Sequence, residues 1–238
     1  VNLLYNLSNK TICKITMENI TLKFSQRKIK KNYRSITGHF PSIKNNTSIG
    51  FESKLEKAHF LALEFDNEVI LYQEQPQIEI FFNGKNQIYS ADCYIKRVKN
   101  SSKKDSIVEV KYTNEIEKRK DYFKIRFESA KNSANKLDLN FEVYTEQNHS
   151  EIYLDNLDFL YRYKLYPIEN KYENQIIDLL KENKKISAFD LANLISQNLK
   201  DYPTISNCIW DLVCKEKLKS DLQSAKVTMN SFVELSCE

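Results

Sequence analysis

The stretch over residues 88–112 constrains the fold most: IYSADCYIK, a charged loop, then IVEVKY. Apolar residues recur there with a period of two, so residues 88–95 and 107–112 read as β-strands. In a strand, residues i and i+2 point the same way, which puts Glu109 and Lys111 on one side while Val108 and Val110 face a core. Asp92 stands on the first strand, and pairing of the two strands would bring it to Glu109 and Lys111. Two carboxylates and an ammonium would then meet, a set able to hold a hard divalent cation through oxygen. The plain alternative is a solvated strand face, because an acid followed two residues later by a lysine is a common pattern.

With 238 residues the chain is long enough to bury a sizeable core, as one large domain or a medium and a small one. The five cysteines, Cys13, Cys93, Cys208, Cys214 and Cys237, are scattered and make no CxxC pair, which argues against a zinc site or a disulfide framework. No apolar run approaches the length of a membrane span, and VNLLYNLSNK lacks the marks of a signal peptide, so a cytoplasmic setting is expected.

Charge is unevenly distributed. Residues 1–50 hold nine Lys or Arg against the single acid Glu18, so this segment is +8 in a chain of net +4. The densest part, QRKIKKNYR over residues 26–34, presents Arg27, Lys28, Lys30, Lys31 and Arg34 as an arm able to lie along phosphates, the alternative being a solvated leader. The following SITGHFPSIKNNTSIGF mixes turn formers with isolated apolar residues and reads as irregular.

Ser53 then caps a helix, with Glu56 at the capping-box spacing. Glu56 shares a face with Phe60 and Leu63, which aims its carboxylate inward, where it needs a cation or a hydrogen-bond partner. Glu52 lies one turn earlier on that face, and His59 reads as a packed histidine. Strands are expected over 69–72 and 77–82, the latter meeting Pro76 at a strand end or edge because proline cannot donate to a ladder. A turn at Asn83 and Gly84 precedes residues 88–95. A helix over 115–133 with a dense, solvated charged face, an alternating strand over 137–145 and a helix over 152–163 complete a mixed sheet flanked by helices.

After Tyr166 and Pro167 come three short amphipathic helices, over 172–182, 187–198 and 204–215, with Ser187 and Thr204 as N-caps. Two strands follow, LKSDL and VTMNSFVEL. Leu191, Leu194, Ile209, Trp210, Leu212 and Val213 would supply the core. Three helices and a hairpin are the pattern of a winged helix. The division expected is a basic arm and lead-in over 1–50, an α/β domain over 51–166 and a winged-helix domain over 167–238.

The order GHFPS, FESKLEKAHFLALEFD, VILYQEQP, YSADCYIK and IVEVK, then a helix, a strand and NLDFLY, resembles the TnsA-type endonuclease subunit of heteromeric bacterial transposases. The resemblance covers about residues 34–165 by motif. It implies an α/β, restriction-endonuclease-like fold of the PD-(D/E)xK superfamily followed by a winged helix. Glu56, Asp92, Glu109 and Lys111 match the family's active-site pattern, and Gln75 falls in its EQP segment. One departure is Ser90-Ala91-Asp92-Cys93, where the family often has Thr-Pro-Asp-Phe; the acid survives.

Magnesium, with Mn²⁺ able to substitute, is favoured over zinc because the donors are the carboxylates of Asp92, Glu109 and Glu56, without clustered Cys or His. The resemblance further implies cutting of the non-transferred strand at the 5′ ends of a transposon. The implied partners are the DNA ends, an RNase H-like transposase and an AAA+ ATPase regulator. Two other readings share these residues: a free-standing restriction, repair or junction-resolving nuclease, and a non-catalytic DNA-binding assembly subunit.

Overall fold

A computed structural model describes residues 14–17, 20–24, 36–198 and 200–236. The basic stretch over residues 26–34, with Arg27, Lys28, Lys30, Lys31 and Arg34, lies outside the described residues. The chain forms two compact units, residues 1–148 and 149–238.

In the first unit, β1 (Lys14–Met17) and β2 (Ile20–Phe24) precede a hairpin of β3 (Gly38–Ser42) and β4 (Thr47–Phe51). That hairpin replaces the irregular segment expected from the sequence. Its apolar residues are spaced for strands after all: Phe40, Ile49 and Phe51 are buried at alternate positions, and Asn46 takes the positive φ of the connecting turn.

Helix α1 (Lys54–Phe65) buries Leu55, His59, Phe60, Leu61, Leu63 and Glu64. Strands β5 (Val69–Glu74), β6 (Pro76–Phe82) and β7 (Lys85–Ser90) follow. Asn83 and Gly84, both at positive φ, make the two-residue turn between β6 and β7. Pro76 is the first residue of β6, the strand end that its missing N–H requires.

The single strand expected over 88–95 is two. β7 joins a sheet of order β1-β2-β6-β7, whereas β8 (Cys93–Arg97) joins a mixed sheet with β9 (Ser106–Val110) and β10 (Asn140–Tyr144), of order β10-β9-β8-β5. In this sheet β9 and β10 run parallel, and β8 is antiparallel to both β9 and β5. The chain changes sheet at Ala91 and Asp92, between β7 and β8.

The helix expected over 115–133 is also divided, into α2 (Thr113–Lys118) and α3 (Lys120–Lys136), because Arg119 leaves helical geometry at φ −135° and ψ 41°. Ala130 and Ala134 of α3 pack with Ile78, Ile80, Tyr89, Tyr94 and Ile107 in the core. The resulting architecture is mixed α/β, consistent with a restriction-endonuclease-like fold.

The second unit contains α4 (Glu151–Leu165), α5 (Glu173–Asn183), β11 (Lys185–Ser187), α6 (Ala188–Ile195), α7 (Tyr202–Cys214), β12 (Leu218–Ser220) and β13 (Phe232–Leu235). The sequence places α4 at the end of the first unit, with a boundary at 166. In the structure it packs on α7: Phe159 meets Trp210 edge to face at 5.6 Å, and Asn156 is bonded to the backbone of Leu222, Ala225 and Val227.

The third strand, β11, was not legible in the sequence and completes an antiparallel sheet of order β11-β13-β12. Ser187 caps α6 as expected, accepting from Asp190 N–H at 3.0 Å. Thr204 does not cap α7, which begins earlier, with Pro203 in its first turn. Leu194, expected in the core, is exposed, while Leu191, Ile209, Trp210, Leu212 and Val213 are buried. No helix among the described residues is long and apolar enough to cross a membrane.

Candidate active site

Asp92 is fixed by the backbone on every side. Its N–H donates to Val108 O at 3.0 Å, its carbonyl accepts from Gln75 N–H at 3.1 Å, and the preceding Ala91 N–H reaches Pro76 O at 3.0 Å. Gln75, at the left-handed φ of 56°, makes the tight link from β5 to β6, so its part here is played by backbone geometry. A non-glycine residue held in that region marks a place where the surrounding structure dictates conformation. Asp92 Oδ2 then accepts from Val110 N–H at 2.7 Å, across the end of the β8–β9 ladder.

Glu109 comes from β9, in which all five residues are buried, and is itself only 9% exposed. A solvated strand face is therefore excluded. Tyr89 OH donates to Glu109 Oε2 at 2.6 Å, while Lys111 Nζ lies 3.7 Å from Oε1. Lys111 follows the end of β9 and is tied to β10 by its N–H, which donates to Tyr144 O at 2.9 Å. Asp92, Glu109 and Lys111 thus gather at the ends of β8 and β9, where the sequence pattern places them.

Glu56 is held differently. Ser53 accepts from Glu56 N–H at 3.0 Å, its hydroxyl donates to Oε1 at 2.9 Å, and Glu52 N–H donates to Oε2 at 2.9 Å. Both carboxylate oxygens serve the capping box. Burial raises the pKa of Glu56, against the lowering contacts from the Glu52 N–H and the Ser53 hydroxyl, and the Glu52 charge adds a smaller rise. Even so, Glu56 stands close enough to the other acids to act on them: its charge raises Asp92, and the Lys111 cation lowers Glu56.

Burial, followed by the charge of Glu109, pushes the Asp92 pKa up to about 8. Glu109 is raised as well, by burial, against the lowering effects of the Tyr89 hydroxyl and of Lys111 and Arg126. The buried Tyr89 phenol is itself raised, by burial and by Glu109. Such a set carries more negative charge than its own cations relieve.

Sequence reasoning missed Tyr89 and Arg126. Tyr89 is buried in β7, and the Arg126 guanidinium lies 4.9 Å from the centre of its ring. The signal for Tyr89 was its place three residues before Asp92 in an alternating strand. Arg126 belongs to the charged face read as solvated, yet it is half-buried and its Nη1 donates to Tyr122 OH at 2.7 Å.

His59 is buried against Tyr144, ring centres 4.4 Å apart, as a packed histidine would be. Among the described residues, no three Asp, Glu, His or Cys side chains gather into one metal-binding group. Asp92 and Glu109 are therefore a pair, with Glu56 beside them in its cap.

Residues 66–146 match the family described as TnsA-like endonuclease N terminal. The match lies within the first unit and makes this stretch similar to a TnsA-like endonuclease domain. The TnsA-like stretch takes in Gln75, Tyr89, Asp92, Glu109, Lys111 and Arg126 and begins after Glu52 and Glu56. No curated protein matches the chain. Acids and a lysine that converge at one place within a stretch similar to a TnsA-like endonuclease make that place the candidate catalytic centre.

Proposed function

We propose that this protein is a Mg²⁺-dependent DNA endonuclease that cuts the non-transferred strand at transposon 5′ ends, as one subunit of a heteromeric transposase. The convergence of Asp92, Glu109 and Lys111 inside the TnsA-like stretch carries this reading. The donors suit magnesium, which is commonly held by one or two carboxylates and keeps several waters. Mn²⁺ would fit the same oxygens, and no cysteine or histidine ligand is needed.

Asp92 and Glu109 would hold the ion, and Glu56 would reach it through water while remaining in its cap. A bound Mg²⁺ would supply charge for the phosphoryl oxygens and acidify a water. Lys111 Nζ, a donor without acceptor capacity, orients that water or the scissile phosphate from beside Glu109. The Val110 N–H holds Asp92 in place, so little reorganisation is left for the moment of reaction.

Arg27, Lys28, Lys30, Lys31 and Arg34 would follow the DNA backbone without reading sequence. From α5 to β13 the second unit runs helix, strand, helix, helix, strand, strand, an order compatible with a winged helix in which α7 would take the recognition position. From Cys208 to Cys214 every residue of α7 is buried, and Tyr163 OH from α4 reaches Asn207 Oδ1 at 3.1 Å. Residues 168–238 hold nine Lys, no Arg and eleven acids. A covered helix on an acidic unit suits docking of a protein, the RNase H-like transposase or the AAA+ regulator, better than insertion in a DNA groove.

The test is cleavage of transposon-end DNA with the partner transposase and Mg²⁺ present. Asp92→Ala, Glu109→Ala and Lys111→Ala should each reduce cutting by at least about 100-fold, the scale of losing one charge-stabilising group, with unchanged folding. Full activity in the Asp92 and Glu109 variants would sink the proposed site.

A further inference from the structure

Glu109 is held from two sides, by the motif's own Lys111 and by Tyr89, which no motif reading assigns. Its Oε2 takes the Tyr89 hydroxyl at 2.6 Å, and its Oε1 faces Lys111 Nζ at 3.7 Å. Two contacts on different oxygens set the rotation of the carboxylate. Tyr89 can impose that rotation only if its own ring is immobile, and the packing makes it so. The residue is 1% exposed, Phe141 packs against it with ring centres 6.1 Å apart, and the Arg126 guanidinium lies over its ring at 4.9 Å.

Arg126 is anchored in turn: Nη1 donates to Tyr122 OH at 2.7 Å, and the Tyr122 ring sits edge-on to Phe82 at 5.5 Å. A guanidinium stacked on an aromatic face is a more rigid support than a flexible ammonium would be. The line Tyr122, Arg126, Tyr89, Glu109 therefore runs from α3 through β7 to β9.

We propose that Tyr89 and Arg126 are positioning residues that fix the carboxylate of Glu109 for Mg²⁺ and make the site discriminate Mg²⁺ from Ca²⁺. This rests on the metal-dependent nuclease reading above. Mg²⁺ demands near-ideal octahedral geometry at about 2.0–2.1 Å, whereas Ca²⁺ accepts six to eight oxygens at about 2.3–2.6 Å in flexible arrangements. A carboxylate locked in one rotation favours the ion with the stricter demand. Once unlocked, it can still satisfy the more tolerant ion, including by bidentate contact. Hydrogen-bond partners of metal ligands commonly change affinity by about 10–100-fold when removed.

The experiment is calorimetric titration of the full chain with Mg²⁺ and, separately, with Ca²⁺, beside thermal melts that report folding. Tyr89→Phe, which removes the hydroxyl and keeps the ring, should weaken Mg²⁺ by about 10-fold or more and Ca²⁺ by much less. Arg126→Met should shift the same ratio in the same direction, and Arg126→Lys should restore part of it. A merely structural role would lower the melting temperature and weaken both ions alike.

Equal losses for the two ions, or unchanged Mg²⁺ binding in Tyr89→Phe, would overturn the positioning proposal while leaving the nuclease reading intact. A wild-type chain that binds neither ion, with or without DNA, would overturn both.

Discussion

Two places in the first unit bury carboxylates, and they do so in opposite ways. Glu64, 1% exposed in the last turn of α1, accepts from Ser42 Oγ at 2.6 Å, Tyr72 OH at 2.9 Å and Lys44 N–H at 3.3 Å. Its donors come from β3, the β3–β4 turn and β5, so the acid ties four neighbouring segments together. At the β8–β9 ends, two acids share one region: Asp92 has the Val110 N–H, and Glu109 has Tyr89 and the more distant Lys111. Burial of an acid is thus no sign of chemistry by itself. What marks a site is negative charge in excess of the donors supplied, which a cation can relieve.

The contrast breaks most visibly in stability. Glu64→Ala removes the acceptor of two buried hydroxyls, each worth about 1–3 kcal/mol when orphaned, and should cost roughly 3 kcal/mol. Asp92→Asn should do the reverse without metal. Because the folded-state pKa of Asp92 is raised to about 8, the folded protein binds this proton more tightly than the unfolded chain. Stability is fully present below the ordinary aspartate range and is lost as pH rises towards and through about 8. At pH 8 and above, Asp92→Asn should therefore melt higher than the wild type. A gain of even one pKa unit's worth, about 1.4 kcal/mol, moves the melting temperature by about 3–5 °C in a chain of this size. If both variants lose stability together, the two acids do not differ as argued.

Metal should restore what the charge excess removes. At pH 8, Mg²⁺ at tenfold its dissociation constant should stabilise the wild type by about 1.4 kcal/mol. At pH 6 the gain should shrink, since a proton then competes for Asp92, and cutting should fall over the same interval. Asp92→Asn should lose the effect, and Glu64→Gln should keep it. Melts at the two pH values with and without Mg²⁺ measure this directly.

Glu56 stands between the extremes, satisfied by its cap yet charged beside Asp92. Glu56→Gln keeps an acceptor for the Glu52 N–H. It should alter stability by no more than about 0.5 kcal/mol, within the range of mild substitutions, while lowering the rate of cutting. Unfolding curves beside the cleavage assay separate the two effects, and an unchanged rate would confine Glu56 to capping.

Much of this was legible along the chain. The period-two pattern of IVEVK placed Glu109 and Lys111 on one side, Ser53 and Ser187 announced their helices, and Asn83-Gly84 marked its hairpin turn. Those features depend on neighbours within a few residues, and local backbone geometry decides them. The β3–β4 hairpin was missed because its turn formers outweighed a short alternation. The break in α3's expected helix at Arg119 and the attachment of α4 to the second unit also carried no local mark.

What only the tertiary structure decided is how separate segments meet. Whether the strand over 88–95 continues or changes sheet at Asp92 depends on Gln75 in the β5–β6 link, Pro76 of β6 and Val108 of β9, which bond to that corner. Arg126 looks like any charged helix residue until α3 lies against β6 and β7, and Tyr89 becomes a partner of Glu109 only through side-chain packing across twenty residues of chain. The sequence by itself determined which acids and which lysine could share a face. Packing determined which donors each acid receives, because a buried carboxylate is satisfied by whatever the neighbouring elements bring within hydrogen-bond reach, and periodicity within one element carries no information about that.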